Sequence, residues 1–409
     1  MLAILFPGQG AQAPGFLAPW LDVPLGPASS AVAVAPVPTV ADRLRWWSAV
    51  VDLDLIEAGT SWDAERIRDT AVAQPLLVAA ALAAAEALLE GADLDAALAA
   101  VGVTAGHSVG ELAAAAVSRA LAPEAALVLV RERGRAMAAA AALEPTGMSA
   151  VLGGDRTAVL DRIAELDLTA ANHNGAGQIV AAGRLENLEK LAAEPPASAR
   201  VRGLSVAGAF HTRYMAPATE RLAALASAMP VRDPLVRIVS NADGGVVTSG
   251  RELLSRLVAQ VATPVRWDAC MATLGELGVT AVIEMPPAGT LVGLVRRELP
   301  GVEALALKSP ADLDAARRLL ADHGHLAPEP APAWRVVVSP FGGTFVPAQV
   351  SLGRHVEAGT TIATVNVRGK AEPVVTAHAG ALVEWLAEAD DPVAPGQPLA
   401  RLHPDGAQA

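Results

Sequence analysis

The sequence predicts an α/β protein, a mainly parallel sheet covered by helices, followed by a smaller all-β module. Three observations carry this. Short Val/Ile-rich runs alternate with longer helix-favouring runs over most of the chain. One apolar run passes through Gly106-His107-Ser108-Val109-Gly110 into an Ala-rich helix. The stretch after about residue 334 carries an apolar pattern that recurs 37 positions later.

In chain order, Leu2 to Phe6 reads as a buried strand that ends in the tight loop Pro7-Gly8-Gln9-Gly10-Ala11-Gln12. That loop has neither the glycine spacing of a dinucleotide fingerprint nor a Walker lysine, so it is not a phosphate cradle. Pro75 to Leu89 is the most apolar helical stretch; Glu86 interrupts it, and its length falls short of a bilayer span. Ala99 to Val103 is apolar and gives way to the helix-favouring Glu111 to Val117. Glu124 to Arg135 and Ala216 to Ala228 read as helices, and Val236 to Ser240 and Val279 to Met285 as strands. Between residues 145 and 207 the pattern shifts to Met148–Leu152, a helical Arg156–Leu166 and then Ala170–Ala182. This suggests a small inserted subdomain.

Composition excludes several classes. The chain has 409 residues, 52% of them apolar, enough for two or three domains. A net charge of −12 argues against nonspecific binding to nucleic acid or to an anionic membrane. The single cysteine, Cys270, rules out an internal disulfide and fits a reducing compartment. The first apolar run is short and lacks a basic flank, so no signal peptide is expected; the expected location is the cytoplasm. No His/Cys/carboxylate cluster has metal-ligand spacing, and no metal is expected.

The chemistry centres on Ser108. A Gly-x-Ser-x-Gly at a strand-to-helix junction is a nucleophile elbow, in which the turn lifts the hydroxyl out of the fold. The following helix presents free N–H groups to an anion forming on the substrate. A serine hydroxyl needs a base, and His211 in Gly208-Ala209-Phe210-His211-Thr212 is the candidate. His107, beside the serine, reads as structural. Arg133 lies in Arg131-Glu132-Arg133-Gly134-Arg135, which on composition alone reads as a solvated helix face.

Further markers accompany these. Phe6-Pro7-Gly8-Gln9-Gly10, Gln74-Pro75, Gly106 to Glu111, Arg133 to Met137, Asn172-His173-Asn174 and Ala209-Phe210-His211 occur in sequence. Ser240-Asn241, Gln260, Pro264-Val265 and Pro286-Pro287-Ala288-Gly289 complete the series. In order and spacing the chain resembles the malonyl-CoA:acyl carrier protein transacylases over about residues 1–310. The resemblance implies an acyltransferase fold, a hydrolase-like core of residues 1–144 and 208–322 with a ferredoxin-like insert at 145–207. It implies malonyl transfer from malonyl-CoA to the phosphopantetheine thiol of an acyl carrier protein, with no cofactor for the transferase and no membrane insertion.

Roles follow by the same resemblance. Ser108 would be the nucleophile, His211 its base, and Gln260 would orient His211 through its main-chain carbonyl. The N–H groups of Gln9 and Val109 would form the oxyanion hole. Arg133 would hold the malonyl carboxylate, and Phe210 and Asn172 would line the substrate site. An acidic carrier would need a basic patch, for which Arg131, Arg135, Arg213, Arg296 and Arg297 are candidates. A serine hydrolase of thioesterase type would use the same elbow, without needing an arginine for a distal carboxylate.

The C-terminal part begins after a Pro/Ala-rich linker, residues 323–333. Phe345, Val346, Val356, Gly359, Ile362 and Val365 recur as Leu382, Val383, Val393, Gly396, Leu399 and Leu402, and Gly343 recurs as Gly380. Two matching β-rich halves imply a quasi-twofold sandwich. Residues 334–404 thus resemble the biotinyl/lipoyl carrier domains, whose modified lysine stands on a hairpin. Lys370 occupies that place, with Gly369-Lys370 as the expected two-residue turn. Its flanks, Gly369 and Ala371, depart from both families. Lys370 is therefore expected to carry neither biotin nor lipoate, and the module to serve docking, stability or assembly.

Overall fold

The protein was analysed as a computed structural model, which describes residues 1–26, 37–89, 98, 100–324 and 335–403. The chain forms two compact units, residues 1–326 and 327–409. Most of the expected linker, residues 325–333, lies outside the described residues; His323 ends the helix Leu313–His323.

The first unit is built on a six-stranded sheet. Its strands are β1 (Leu2–Phe6), β2 (Val101–Gly106), β7 (Arg237–Val239), β8 (Val246–Val247), β9 (Ala281–Glu284) and β10 (Glu303–Ala306). They lie in the order β10-β9-β1-β2-β7-β8, parallel except for β8. Alternation along β1 sends Leu2, Ile4 and Phe6 into one apolar layer and Ala3 and Leu5 into the other. The larger layer is completed by the helices Thr70–Leu89 and Pro123–Ala141. The smaller is completed by Trp267–Glu276 and Thr290–Glu298. Sheet and helices form three layers, with β1 and β2 at the centre.

The helix expected from Pro75 begins earlier, at Thr70, because Asp69 Oδ1 accepts the Ala71 N–H and starts it one turn before the proline. At 20 residues it is long enough to cross a membrane, which corrects the expectation from length. Its most apolar window is 89% buried within the fold, so its hydrophobicity is satisfied by the core.

Residues 146–203 form a second sheet of β3 (Thr146–Gly153), β4 (Thr169–Gly175), β5 (Gln178–Arg184) and β6 (Ala199–Gly203). The strand order is β4-β5-β3-β6, all antiparallel. Helices Arg156–Glu165 and Leu185–Ala193 complete a β-α-β-β-α-β unit with its own core. The run Ala170–Ala182 folds as parts of two strands, β4 and β5. Ala176, flanked by Gly175 and Gly177, turns the chain with three successive positive φ angles (73°, 48° and 69°).

The second unit contains β11 (Arg335–Val338), β12 (Gly343–Pro347), β13 (His355–Val356), β14 (Thr361–Val367), β15 (Lys370–Val375), β16 (Gly380–Trp385), β17 (Pro392–Val393) and β18 (Pro398–His403). They make two four-stranded sheets, β11-β18-β16-β13 and β15-β14-β12-β17. With the 37-residue offset β11 matches β15, and each sheet joins two strands of one half to two of the other: β11 and β13 to β16 and β18, and β12 and β14 to β15 and β17. The apolar repeat residues Phe345, Val356, Ile362 and Val365, with Leu382, Val393, Leu399 and Leu402, meet in one core. The paired glycines match in geometry as well. A Cβ on Gly343 would lie 2.3 Å from Asn366 O, and one on Gly380 2.4 Å from His403 O.

One expectation for this unit is corrected. The turn between β14 and β15 is Arg368-Gly369, with φ of 49° and 84°, and Lys370 pairs with Val367 as the first residue of β15. A two-residue turn of this kind needs positive φ at both central positions, so the glycine fixes the register one residue earlier. Lys370 Nζ lies 2.6 Å from Glu372 Oε1 on the same strand.

Candidate active site

The elbow is formed by a close crossing of backbones. A Cβ on Gly110 would sit 2.2 Å from Phe6 O, and one on Gly106 would sit 2.1 Å from the carbonyl carbon of Gly110. Only glycine admits this approach of β1, β2 and the helix Gly110–Val117. Ser108 is held at the apex with φ 53°. Its main-chain N–H donates to Asn241 Oδ1 (2.8 Å), and Asn241 Nδ2 donates to Gly106 O (2.7 Å).

His211 reaches the serine from the loop that precedes the helix Ala216–Ser227. Its N–H donates to Val261 O, and its own φ is 62°. Nδ1 lies 2.7 Å from Gln260 O, and Nε2 lies 2.7 Å from Ser108 Oγ. A carbonyl oxygen can only accept, so Nδ1 carries the hydrogen and Nε2 is left to accept from the serine hydroxyl. Burial, assisted by the Arg133 charge, pushes the imidazole down to about 3. His211 is a neutral base.

Arg133 does not lie on a solvated face. Its side chain is directed inward from the helix Pro123–Ala141, and the residue is 2% exposed. Nη1 donates to Gln74 Oε1 (2.7 Å), and Nη2 donates to Gln260 Oε1 (2.9 Å) and to Ser108 Oγ (3.4 Å). Burial lowers the guanidinium to about 10, which leaves it a cation at neutral pH. Its charge therefore lies within reach of an acyl group on the serine.

Ser108, His211 and Gln74 border a cavity of about 270 Å³ at the carboxyl ends of β1 and β2, closed on one side by β3, β4 and β5, and Arg133 stands behind Ser108 and Gln74. Gln9, Val109, Asn172 and Phe210 line it with Ser108 and His211. The main-chain N–H groups of Gln9 and Val109 make no hydrogen bond to the described residues. Gln9 is anchored through its side chain, whose Nε2 donates to Arg68 O (3.1 Å). Asn172 belongs to β4, which the Asn172–Val265 bridge ties to the segment following Gln260. His107 packs edge-on against Trp267, and its Nε2 lies 2.9 Å from Asn174 Oδ1; burial lowers its pKa, a structural setting.

Several residues of this site had no role in the sequence reading. Gln74 and Asn241 hold Arg133 and Ser108. Glu111, 1% exposed, accepts from Gln260 Nε2, and burial raises its carboxyl to about 7. Glu284 accepts the N–H groups of Gly289 (2.9 Å), Leu291 (3.0 Å) and Val292 (2.9 Å). It thereby fixes the helix start whose Thr290 and Leu291 border the cavity. One signal was available: Glu111 is the lone charge in an otherwise apolar helix.

The candidates for a basic patch all have partners in the structure. Arg131 pairs with Glu132 (2.9 Å), Arg135 with Asp52 (3.0 Å) and Arg213 with Asp167 (2.6 Å), while Glu132 is shared with Arg221. Arg296 and Arg297 donate to the main-chain oxygens of Ala304 and Gly293. Among the described residues, no group of three or more His, Cys, Asp or Glu side chains is placed to hold a metal.

Comparison with known proteins places this geometry. The family model described as the acyl transferase domain matches residues 4–309. The malonyl CoA-acyl carrier protein transacylase of Mycobacterium bovis is 52% identical over 324 residues, which are 78% of this chain and all of that protein. The crystal structure of MCAT from Mycobacterium tuberculosis is also 52% identical, with a TM-score of 0.69 over 78% of this chain and 99% of that one. A type II PKS acyl-carrier protein in complex with its malonyl-transacylase matches at 28% identity and a TM-score of 0.68, over 78% and 99% of the two chains. The cavity and every group bordering it lie within the matched residues, and the chain belongs to the acyl transferase family.

Proposed function

We infer that this protein transfers a malonyl group from malonyl-CoA to the phosphopantetheine thiol of an acyl carrier protein, through an ester on Ser108. The observation that carries the reading is the buried Arg133 guanidinium, 3.4 Å from a serine hydroxyl that is itself 2.7 Å from a neutral histidine. Ser108 Oγ attacks the thioester carbonyl while His211 Nε2 takes its proton. The oxyanion is received by the N–H groups of Gln9 and Val109. Collapse expels the coenzyme A sulfur, which leaves with the proton from His211. The carrier thiol then repeats the two steps in reverse. Gln260 O keeps the imidazole tautomer fixed throughout.

Arg133 supplies the selectivity. Its guanidinium can exchange an amide oxygen for the malonyl carboxylate, a stronger, charge-assisted partner. A simple hydrolase has no use for a cation buried there. Phe210 narrows the site beside the acyl α-carbon. The decisive experiment is transfer from malonyl-CoA to a carrier protein, measured beside hydrolysis. Transfer should dominate, and hydrolysis that outpaces it would favour the hydrolase reading.

For the second unit, the reading is a barrel-sandwich of the biotinyl/lipoyl type that carries no modification and acts in docking, stability or assembly. It is supported by the two sheets that share strands between repeat halves, and by Lys370 lying within β15 rather than at the turn. A cytoplasmic location belongs to the same reading, supported by the lone, buried and unpaired Cys270.

A further inference from the structure

One acidic residue under the active site has no part in the steps above. Glu111 accepts from Gln260 Nε2 and from the Asn241 N–H (3.2 Å). The same Gln260 amide turns Oε1 to Arg133 Nη2 at 2.9 Å. One amide therefore bridges a buried carboxyl and a buried guanidinium, and the two charges attract. The other groups around Glu111 offer it no positive charge. Gln260, Asn241 and Ser240 are neutral, and Cys270 is kept a thiol by burial; Asp243 and Asp268 beyond it are paired with Arg256 and Arg266. His211, whose Nδ1 meets Gln260 O, is neutral as well.

We propose that Glu111 is the resting counter-ion of Arg133 and that it takes up a proton when the malonyl carboxylate becomes Arg133's partner. The inference rests on the malonyl-transfer reading. Two carboxylates around one guanidinium, out of water, cannot both stay ionised at little cost. In the transfer reading the malonyl carboxylate bonds the guanidinium itself, whose Nη2 lies 3.4 Å from Ser108 Oγ. Glu111 reaches it only through Gln260, and burial has already moved its carboxyl towards the neutral form. Glu111 is thus the group that neutralises. It touches no reacting atom, and its role is positional: it holds Gln260 and Arg133 in place when the site is empty and removes its own charge when the site fills.

The protons balance. Ester formation itself is neutral, because the Ser108 proton leaves on the coenzyme A sulfur. The additional proton comes from solvent to a Glu111 carboxylate oxygen, and it returns to solvent when the malonyl group moves to the carrier. Acetyl transfer lacks the second carboxylate and should involve no such uptake.

The test uses the full chain in weak buffer with a pH-indicating dye, about one pH unit above Glu111's value. Intact mass counts the ester formed. Wild type should take up about one proton per malonyl ester and close to none per acetyl ester. Infrared difference spectra should show a protonated carboxyl that does not shift when the malonyl carboxylate carries ¹³C. Glu111→Gln should form its malonyl ester without proton uptake. A malonyl ester formed in wild type with no uptake, or a protonated band that shifts with the label, would overturn the proposal. The wild-type measurements decide the matter even if the variant does not fold. Absence of any malonyl ester by mass is a separate result, and it would remove the transfer reading together with this one.

Discussion

Ser108 Oγ and His211 Nε2 lie 2.7 Å apart, and both residues hold left-handed backbone, with φ of 53° and 62°. Such conformations cost about 1–3 kcal/mol each for residues with side chains and persist where their surroundings fix them. Here the fixing groups are Asn241 on the Ser108 N–H and Val261 on the His211 N–H. The nucleophile and its base are thus set by main-chain geometry before substrate arrives.

The base can be tested directly. His211→Ala should keep its fold and form the acyl ester about 10²–10⁴-fold more slowly. Stopped-flow acylation with malonyl-CoA measures this, and wild-type rates would place the base elsewhere.

Selectivity should follow Arg133. Arg133→Ala should lose malonyl transfer by about 2–5 kcal/mol in kcat/KM, and acetyl transfer far less. The same change leaves Gln74 Oε1 without its Arg133 donor, so folding is checked by circular dichroism. Equal losses for the two acyl groups would make Arg133 structural. Phe210→Ser should relax the exclusion of an α-methyl group, measured as methylmalonyl against malonyl transfer.

The pH dependence has a defined sign. With His211 held near 3, acylation should not fall as pH drops through the ordinary imidazole range around 6.5. Stability behaves differently, because the unfolded histidine protonates below 6.5 while the folded one stays neutral. Its contribution is complete above 6.5 and is lost as pH falls towards 3. Glu111 acts in the opposite sense. Its carboxyl is raised from 4.5 to about 7, so its contribution is present below 4.5 and is lost as pH rises to 7. Denaturation of Glu111→Gln across this window should show the stability of wild type falling relative to the variant as pH rises.

The elbow should not tolerate a methyl group. Gly110→Ala places Cβ 2.2 Å from Phe6 O, a backbone atom of the central strand. A loss of about 1–3 kcal/mol or more is expected, together with loss of activity. Thermal unfolding checks it, and an unchanged Tm would mean that the crossing is looser than described.

The second unit should be dispensable for chemistry. Ending the chain after His323 should leave malonyl transfer near wild type, since each unit has its own core. The peptide containing Lys370 should show no biotinyl or lipoyl mass increment. A mapped increment, or lost activity in a folded truncation, would contradict this.

Much of this was legible in the sequence because it is local. The elbow glycines, the alternation of strands and helices and the 37-residue repeat each reflect a backbone requirement that neighbouring residues express. The Arg368-Gly369 turn was misread by one position, because Gly369 serves either register in sequence and only the pairing of Val367 with Lys370 decides. The burial of Arg133 and the Glu111–Gln260–Arg133 connection were not legible. They join residues far apart in the chain, and although Glu111 stands out as the lone charge of its helix, its partners are set only when the fold brings them together.

The most direct test of the account is intact-protein mass spectrometry of wild type and Ser108→Ala after mixing with malonyl-CoA, then with carrier protein. Wild type should gain one malonyl increment, mapped to the Ser108 peptide, and lose it to the carrier, while Ser108→Ala gains none. A stable malonyl adduct on Ser108→Ala, or a wild-type adduct that water removes but the carrier thiol does not, would contradict it.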